Sequence, residues 1–202
     1  TVGIYLNSPV SLDMVITRLL RGCLSWWQFS PTGKLRVRQI TAPASGGASF
    51  DETVHLSDLV FTEEDDLYWS IPVLYQRNWQ RLEPAGSVAA NLATWLRSEG
   101  YESRKEDSTI LTAYDYASTA PRIETYFDVQ VDAEAIGTLA LGMFGVPRYR
   151  ATVDLPITSP LHQLGDSVAL ADANGFEGDY LVIRLTDQWD GAVPIIQAEV
   201  WG

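Results

Sequence analysis

The chain has 202 residues, 46% of them apolar and 20% charged, which is enough to bury a core without covalent help and too apolar for a disordered chain. Its 14 basic and 26 acidic side chains give a net charge of −12, the wrong sign for non-specific nucleic-acid binding, which needs Lys and Arg to neutralise phosphates. A single cysteine, Cys23, excludes an internal disulfide. No apolar stretch is long enough to span a bilayer, and the longest candidate, 135–146, is interrupted by Gly137, Gly142 and Gly145.

The chain starts at Thr1 rather than Met and lacks a charged-then-apolar leader, so it reads as a fragment or processed product of something longer. Val2 to Leu6 is a short apolar run with strand character, broken by Asn7-Ser8-Pro9. Leu12, Val15, Ile16, Leu19, Leu20, Cys23 and Leu24 recur at steps of three and four, which predicts a helix from about Leu12 to Ser25 with Ser11 or Ser8 as cap. Cys23 sits within that apolar run and is expected to be a buried, inert thiol. Trp26 to Phe29 and the alternating Lys34 to Ile40 then form a hairpin closed by Pro31 to Gly33, with Leu35, Val37 and Gln39 on one face.

Thr41 to Ser49 is a flexible connection by composition. Short apolar pieces at Val54 to Leu56 and Asp58 to Phe61 lead to a strand at Tyr68 to Tyr75, where Pro72 argues for a sheet edge or a bulge. Ser87 to Ser98 reads as a second helix, with Ser87 as cap and Gly100 as stop. Tyr101 to Asp107 reads as charged surface, and Ile110 to Tyr114 and Ile123 to Phe127 as extended pieces. Asp132 is positioned to cap a third helix, Ala133 to Phe144, ended by Gly145 and Pro147. Strands follow at about Arg148 to Leu155, Ser167 to Ala171, Asp179 to Leu185 and Val193 to Val200, with turn signals at Asp172 to Gly175 and at Asp190-Gly191. The fold class is therefore α+β, strand-dominated and mixed, with about three helices and a C-terminal antiparallel hairpin region. The expected division is 1–127, helices against a sheet, and 128–202, a helix followed by hairpins packed onto the first part.

Catalytic patterns are lacking. One cysteine and two histidines, His55 and His162, show no ligand spacing, so neither a metal nor a cofactor is expected; His162, between Leu161 and Leu164, reads as structural. The run Glu63-Glu64-Asp65-Asp66 lacks the spacing of a calcium loop and reads as a solvated acidic turn. There is no Gly-x-Ser-x-Gly elbow, P-loop or dinucleotide fingerprint. Glu99, Glu102 and Glu124 are candidates for the paired carboxylates of a glycosidase, but sequence alone does not pair them. A carbohydrate-binding or receptor-binding module is the stronger alternative, with Trp26, Trp27, Trp69, Trp79 and Trp189 as stacking platforms.

Several phrases, in this order, carry a family resemblance: Trp26-Trp27-Gln28-Phe29 turning into Gly33-Lys34-Leu35-Arg36-Val37; Ile71 to Gln80, a strand ending in Tyr-x-x-Asn-Trp; Asp132-Ala133 opening a helix; the Tyr149-Arg150 strand; Leu164-Gly165-Asp166-Ser167-Val168; and the closing Val200-Trp201-Gly202. Together they resemble the baseplate hub and tail-tip proteins of tailed bacteriophages and prophages, which are much longer. The resemblance implies a non-enzymatic structural module, built into a homo-oligomeric ring (commonly trimeric) with other tail subunits. It implies a virion location after expression in the bacterial cytoplasm, without specific nucleic-acid binding or membrane insertion. Tyr75, Arg77, Asn78 and Trp79, with Leu164, Gly165, Asp166 and Val168, are the candidate contact residues, and core packing is the competing reading for each.

Overall fold

The structure, a computed structural model, describes residues 9–30, 32–51, 59–64, 66–84, 86–156, 163–171, 177–190 and 193–202. In chain order the elements are α1 (Leu12–Arg21), β1 (Ser25–Phe29), β2 (Leu35–Gln39), β3 (Ala48–Asp51), β4 (Val60–Glu64) and β5 (Tyr68–Tyr75). Next come α2 (Ala90–Arg97), β6 (Tyr101–Glu106), α3 (Ser108–Ala113), β7 (Ser118–Thr119), β8 (Ile123–Glu124) and α4 (Gln130–Phe144). The chain ends with β9 (Arg148–Pro156), β10 (Ser167–Ala171), β11 (Glu177–Asp190) and β12 (Val193–Trp201). The class is α+β and strand-dominated. The expected strand at Val2 to Leu6, the piece at Val54 to Leu56, the turn at Asp172 to Gly175 and both histidines lie outside the described residues.

Two compact units divide the chain, each assembled from separated segments: Thr1–Ile40 with Tyr68–Val146, and Thr41–Leu67 with Pro147–Gly202. In the first, β5 is the middle of a sheet of order β6-β5-β7, with β8 also pairing β5. Pro72 is therefore interior to the sheet and not at its edge. The backbone of Ser70 and Leu74 accepts from Ala120 and Thr125 on the β7–β8 side, so alternation turns the nitrogen of Pro72 to that same side. There β7 and β8 are separate short strands, and the N–H that proline lacks falls where one gives way to the other.

Helix α4 packs on β5 and β6. Ala133 and Ala140 are wholly buried with Ile71 and Val73, and Phe144 meets Tyr68 edge-on at 6.1 Å. The small residues permit a close approach: a Cβ on Gly137 would lie 3.0 Å from Lys105 Cβ and 3.5 Å from Val73 Cγ2. The helix begins at Gln130, so Asp132 lies in its first turn, suited to the positive helix end, and does not cap it.

Five further expectations are corrected in this unit. Tyr101 to Glu106 is strand β6, specified by pairing along the buried β5 and not by its own apolar content; only Ser103 is buried. Ile110 to Tyr114 is largely helical, because Asp107 caps α3 by accepting from the Thr109 amide at 2.9 Å. Helix α2 starts at Ala90, later than Ser87, with no side-chain cap. Helix α1 stops at Arg21, and no residue in it is fully buried; Cys23 is half-buried, and burial pushes its thiol pKa up. With α3 included, the described residues hold four helices, in keeping with the α+β class and with the about three expected.

The hairpin β1–β2 forms as expected, with Trp27 opposite Val37 and Phe29 opposite Leu35. Its turn is held by Ser30, whose hydroxyl accepts from the Lys34 amide at 3.1 Å, and by Gly33 at φ +76°. Phe29, Leu35 and Val37 remain exposed at 64, 48 and 54%.

The second unit is a six-stranded sheet of order β3-β10-β11-β12-β9-β4, antiparallel except for the β3–β10 pair. Alternate residues supply its core: Val168 and Leu170, Tyr180 and Val182, Ala198 and Val200, and Ala151, Val153 and Leu155. Part of the connection expected at Thr41 to Ser49 enters β3, and Glu63 and Glu64 belong to β4, opposite Tyr149 and Arg148, so they are not a free acidic turn. The end of the chain is tied down by reciprocal bonds between the backbones of Tyr149 and Gly202, at 2.7 and 3.0 Å.

Candidate functional site

The first unit contains an open cleft of about 600 Å³. Three parts of the chain supply its walls. Helix α1 contributes Arg18 and Arg21, three residues apart and so on one face, and Leu24 follows. The segment after β5 contributes Arg77 and Trp79, and β8 with its flanks contributes Arg122, Glu124 and Tyr126; both sets alternate as an extended chain must. Ile123 completes the lining. Four arginines and one glutamate line the cleft among the described residues, in a chain whose net charge is −12.

The arginines divide into two kinds. Arg77 bonds Glu124 Oε2 at 2.9 Å, and Arg122 bonds Glu99 Oε2 at 2.6 Å. Arg81 reaches the other oxygen of Glu99 at 3.0 Å. The Arg122 guanidinium holds the Glu99 carboxyl below the ordinary range, with Arg81 and Arg77 adding to the effect, while Glu99 raises the pKa of Arg122. Arg18 and Arg21, by contrast, make no side-chain ion pair or hydrogen bond among the described residues.

The aromatic wall is fixed by stacking. The rings of Trp79 and Tyr126 are 5.8 Å apart and within 10° of parallel, and the Arg77 guanidinium lies 5.1 Å from the Trp79 ring centre. Trp79 keeps 41% of its surface exposed. Two non-glycine residues with left-handed backbone adjoin the cleft: Leu24 at φ +48° in its lining, and Gln76 at φ +47° immediately before Arg77. Such conformations persist where surrounding contacts impose them; here the Gln76 amide is held by the Phe127 carbonyl at 2.6 Å.

Of the residues singled out in the sequence, Arg77 and Trp79 reach the cleft. Tyr75 stacks instead on Tyr101, its cross-strand partner, at 5.8 Å, and burial raises its phenol pKa. Asn78 is 8% exposed; its amide donates to the carbonyls of Trp95, Leu96 and Ser98 at the end of α2, and its oxygen accepts from the Gln80 amide. Leu164, Gly165, Asp166 and Val168 belong to the second unit and form a tight entry to β10. Leu164 packs on the core and Val168 is buried within it; Gly165 has φ +82°, and Asp166 accepts from the Gln163 amide at 2.8 Å. Together they shape the turn that leads into β10.

Glu99 and Glu124 are drawn together through Arg77 and Arg122, whereas Glu102 pairs with Arg104. A glycosidase needs one carboxyl kept protonated near neutrality, a role for which a Glu99 carboxyl held down by arginines is not suited. Among the five tryptophans weighed as platforms, Trp26, Trp27 and Trp69 are half-buried in strands. The side chain of Trp189 lies outside the description. Arg18, Arg21, Arg122 and Tyr126 were missed. The two helix arginines lie on the polar side of the amphipathic α1, where charge is ordinary, so no local signal set them apart.

No family model matches the sequence, and no curated protein matches it. Solved structures do. The tail protein from Neisseria meningitidis MC58 superposes over 99% of this chain at a TM-score of 0.62, with 11% identity. The prophage MuSo2 43 kDa tail protein from Shewanella oneidensis matches over 98% at 0.57 and 12% identity, and a chain of a native gene transfer agent virion over 95% at 0.58 and 15% identity. This chain spans 57, 56 and 40% of those chains, about half their length. At such identity the likeness is one of architecture: the chain has the fold of phage tail proteins.

Proposed function

We propose that the chain is a structural module of a phage or prophage tail, placed at the tail tip or baseplate hub and acting by assembly with other tail subunits. The observation that carries this reading is the match of nearly the whole chain to two tail proteins and a virion component. The exposed apolar residues Phe29, Leu35 and Val37 on one hairpin support it, since apolar surface of this kind suits subunit contacts. A homo-oligomeric ring made in the bacterial cytoplasm and carried into the virion is the form this work would take. No step of bond making or breaking is assigned to it.

The test is location. Gold-labelled antibody against the chain, applied to particles purified from the producing bacterium, should decorate the tail end in electron micrographs. Particles that lack the chain while carrying intact tails would overturn the reading. A glycan-array signal abolished by Trp79→Ala would move it to receptor binding instead, because Trp79 is the exposed ring of the stacked pair.

A further inference from the structure

We propose that the cleft between α1, the turn after β5 and β8 is a docking site for an acidic protein segment, one whose carboxylates alternate with apolar or aromatic side chains. The cleft is basic where the chain as a whole is strongly acidic. Arg77 and Arg122 are already committed to Glu124 and Glu99, which fixes their guanidinium groups in place. Arg18 and Arg21 extend the same charge along α1 with no carboxylate partner among the described residues. A planar guanidinium fork matches a carboxylate with two parallel bonds, so this pair is free to take carboxylates from outside.

The remaining walls decide the rest of the ligand. Trp79 and Tyr126 offer stacked aromatic surface beside those charges, which a purely ionic partner would leave uncovered. The left-handed backbone at Leu24 and Gln76, on two separate segments, holds this geometry at a conformational cost.

A nucleic acid offers anions and rings too, but a phosphodiester chain carries one charge per residue past the edges of the cleft. There it meets the field of a protein at −12. A short acidic peptide confines its charge to the cleft. The proposal does not depend on the tail reading: antibody that fails to label particles leaves it standing, and labelled particles do not establish it.

The probe is a fluorescein-labelled copolymer of glutamate and tyrosine, followed by anisotropy with the full chain at low and at physiological salt. Binding that weakens with salt is expected, and poly-glutamate without tyrosine should bind more weakly. Arg18→Glu with Arg21→Glu should reduce affinity by about tenfold or more, two close charge pairs being reversed, with an unchanged thermal melt since both residues are exposed. Arg18→Lys with Arg21→Lys should retain binding within a few-fold. Absence of copolymer binding, equal binding by the charge-reversed variant, or tighter binding of an oligothymidylate of matching length would each overturn the proposal.

Discussion

Asn78 shows how a polar residue in a turn can be structural. Its amide faces three carbonyls at the C-terminal end of α2, of which Trp95 also takes the Ser98 amide and Leu96 the Leu82 amide, and its oxygen takes the Gln80 amide. Asn78→Ala should therefore cost about 1–3 kcal/mol in denaturant unfolding, the range for buried groups left without a partner. Asn78→Asp should cost at least as much, because a carboxylate would face carbonyl oxygens. Equal unfolding midpoints for wild type and both variants would disprove this role. Glu99 makes a prediction in pH. Its folded pKa is depressed below the ordinary 4.5 by Arg122 first, so the unfolded chain binds the proton more readily. The stabilisation is complete above that ordinary value and is lost as pH falls through the folded one. Thermal melts should show Glu99→Gln less stable than wild type at pH 7, with the difference shrinking below about pH 4. A constant difference down to acid pH would count against the arginine cluster as its cause. At this scale the sequence was half legible: Tyr-x-x-Asn-Trp drew attention to Arg77 and Trp79 in the cleft, but the same phrase contained Asn78, whose partners lie 17 to 20 residues away. No local pattern encodes such a partner.

Elements that carry their own apolar period were readable, and those specified by a neighbour were not. The hairpin β1–β2, strand β5, helix α4 and the four C-terminal strands all stand near their expected places, because each has alternation, a helical stripe or a turn signal. Strand β6 has one buried residue, Ser103, among glutamate, arginine and lysine; it is a strand because β5 presents an unpaired edge to it. Helix α3 is six residues long, too short for a period, and the Asp107 cap decides its conformation against the β-branched Thr109, Ile110 and Thr112. The glycines of α4 had been read only as interruptions of an apolar run. Gly137 instead sets the distance between helix and sheet. Gly137→Ala must push Lys105 Cβ, already at 3.0 Å from the new methyl position, and should cost about 1–3 kcal/mol. Gly142 is the internal control, since nothing lies within 4 Å of its added Cβ, and Gly142→Ala should be neutral or mildly stabilising. Comparable losses for the two variants in urea unfolding would refute the close-approach argument.

On the scale of the whole molecule, the chain passes between its two units three times, near residues 40, 67 and 146. A linear reading places a boundary at 127/128, just before α4, because it groups that helix with the hairpins that follow it in the chain. Yet α4 buries Ala133 and Ala140 against Ile71 and Val73, contacts to residues about sixty positions earlier. Long-range closure of this kind leaves no compositional mark. The second unit makes the consequence testable, since both outer strands of its sheet, β3 and β4, come from residues before the first unit resumes. A peptide of residues 147–202 would keep β9 to β12 but expose the edges of β9 and β10, and would lose Phe50, Leu59 and Phe61 from its core. It should accordingly show no cooperative melt by circular dichroism, and addition of a peptide covering 41–67 should restore one. Phe50→Ala in that added peptide should weaken the restoration, because Phe50 is 3% exposed within the core and β3 has little else to anchor it beside β10. A cooperative melt from 147–202 alone, unaffected by the second peptide, would mean that the outer strands are accessory and that the C-terminal segment is a domain in its own right.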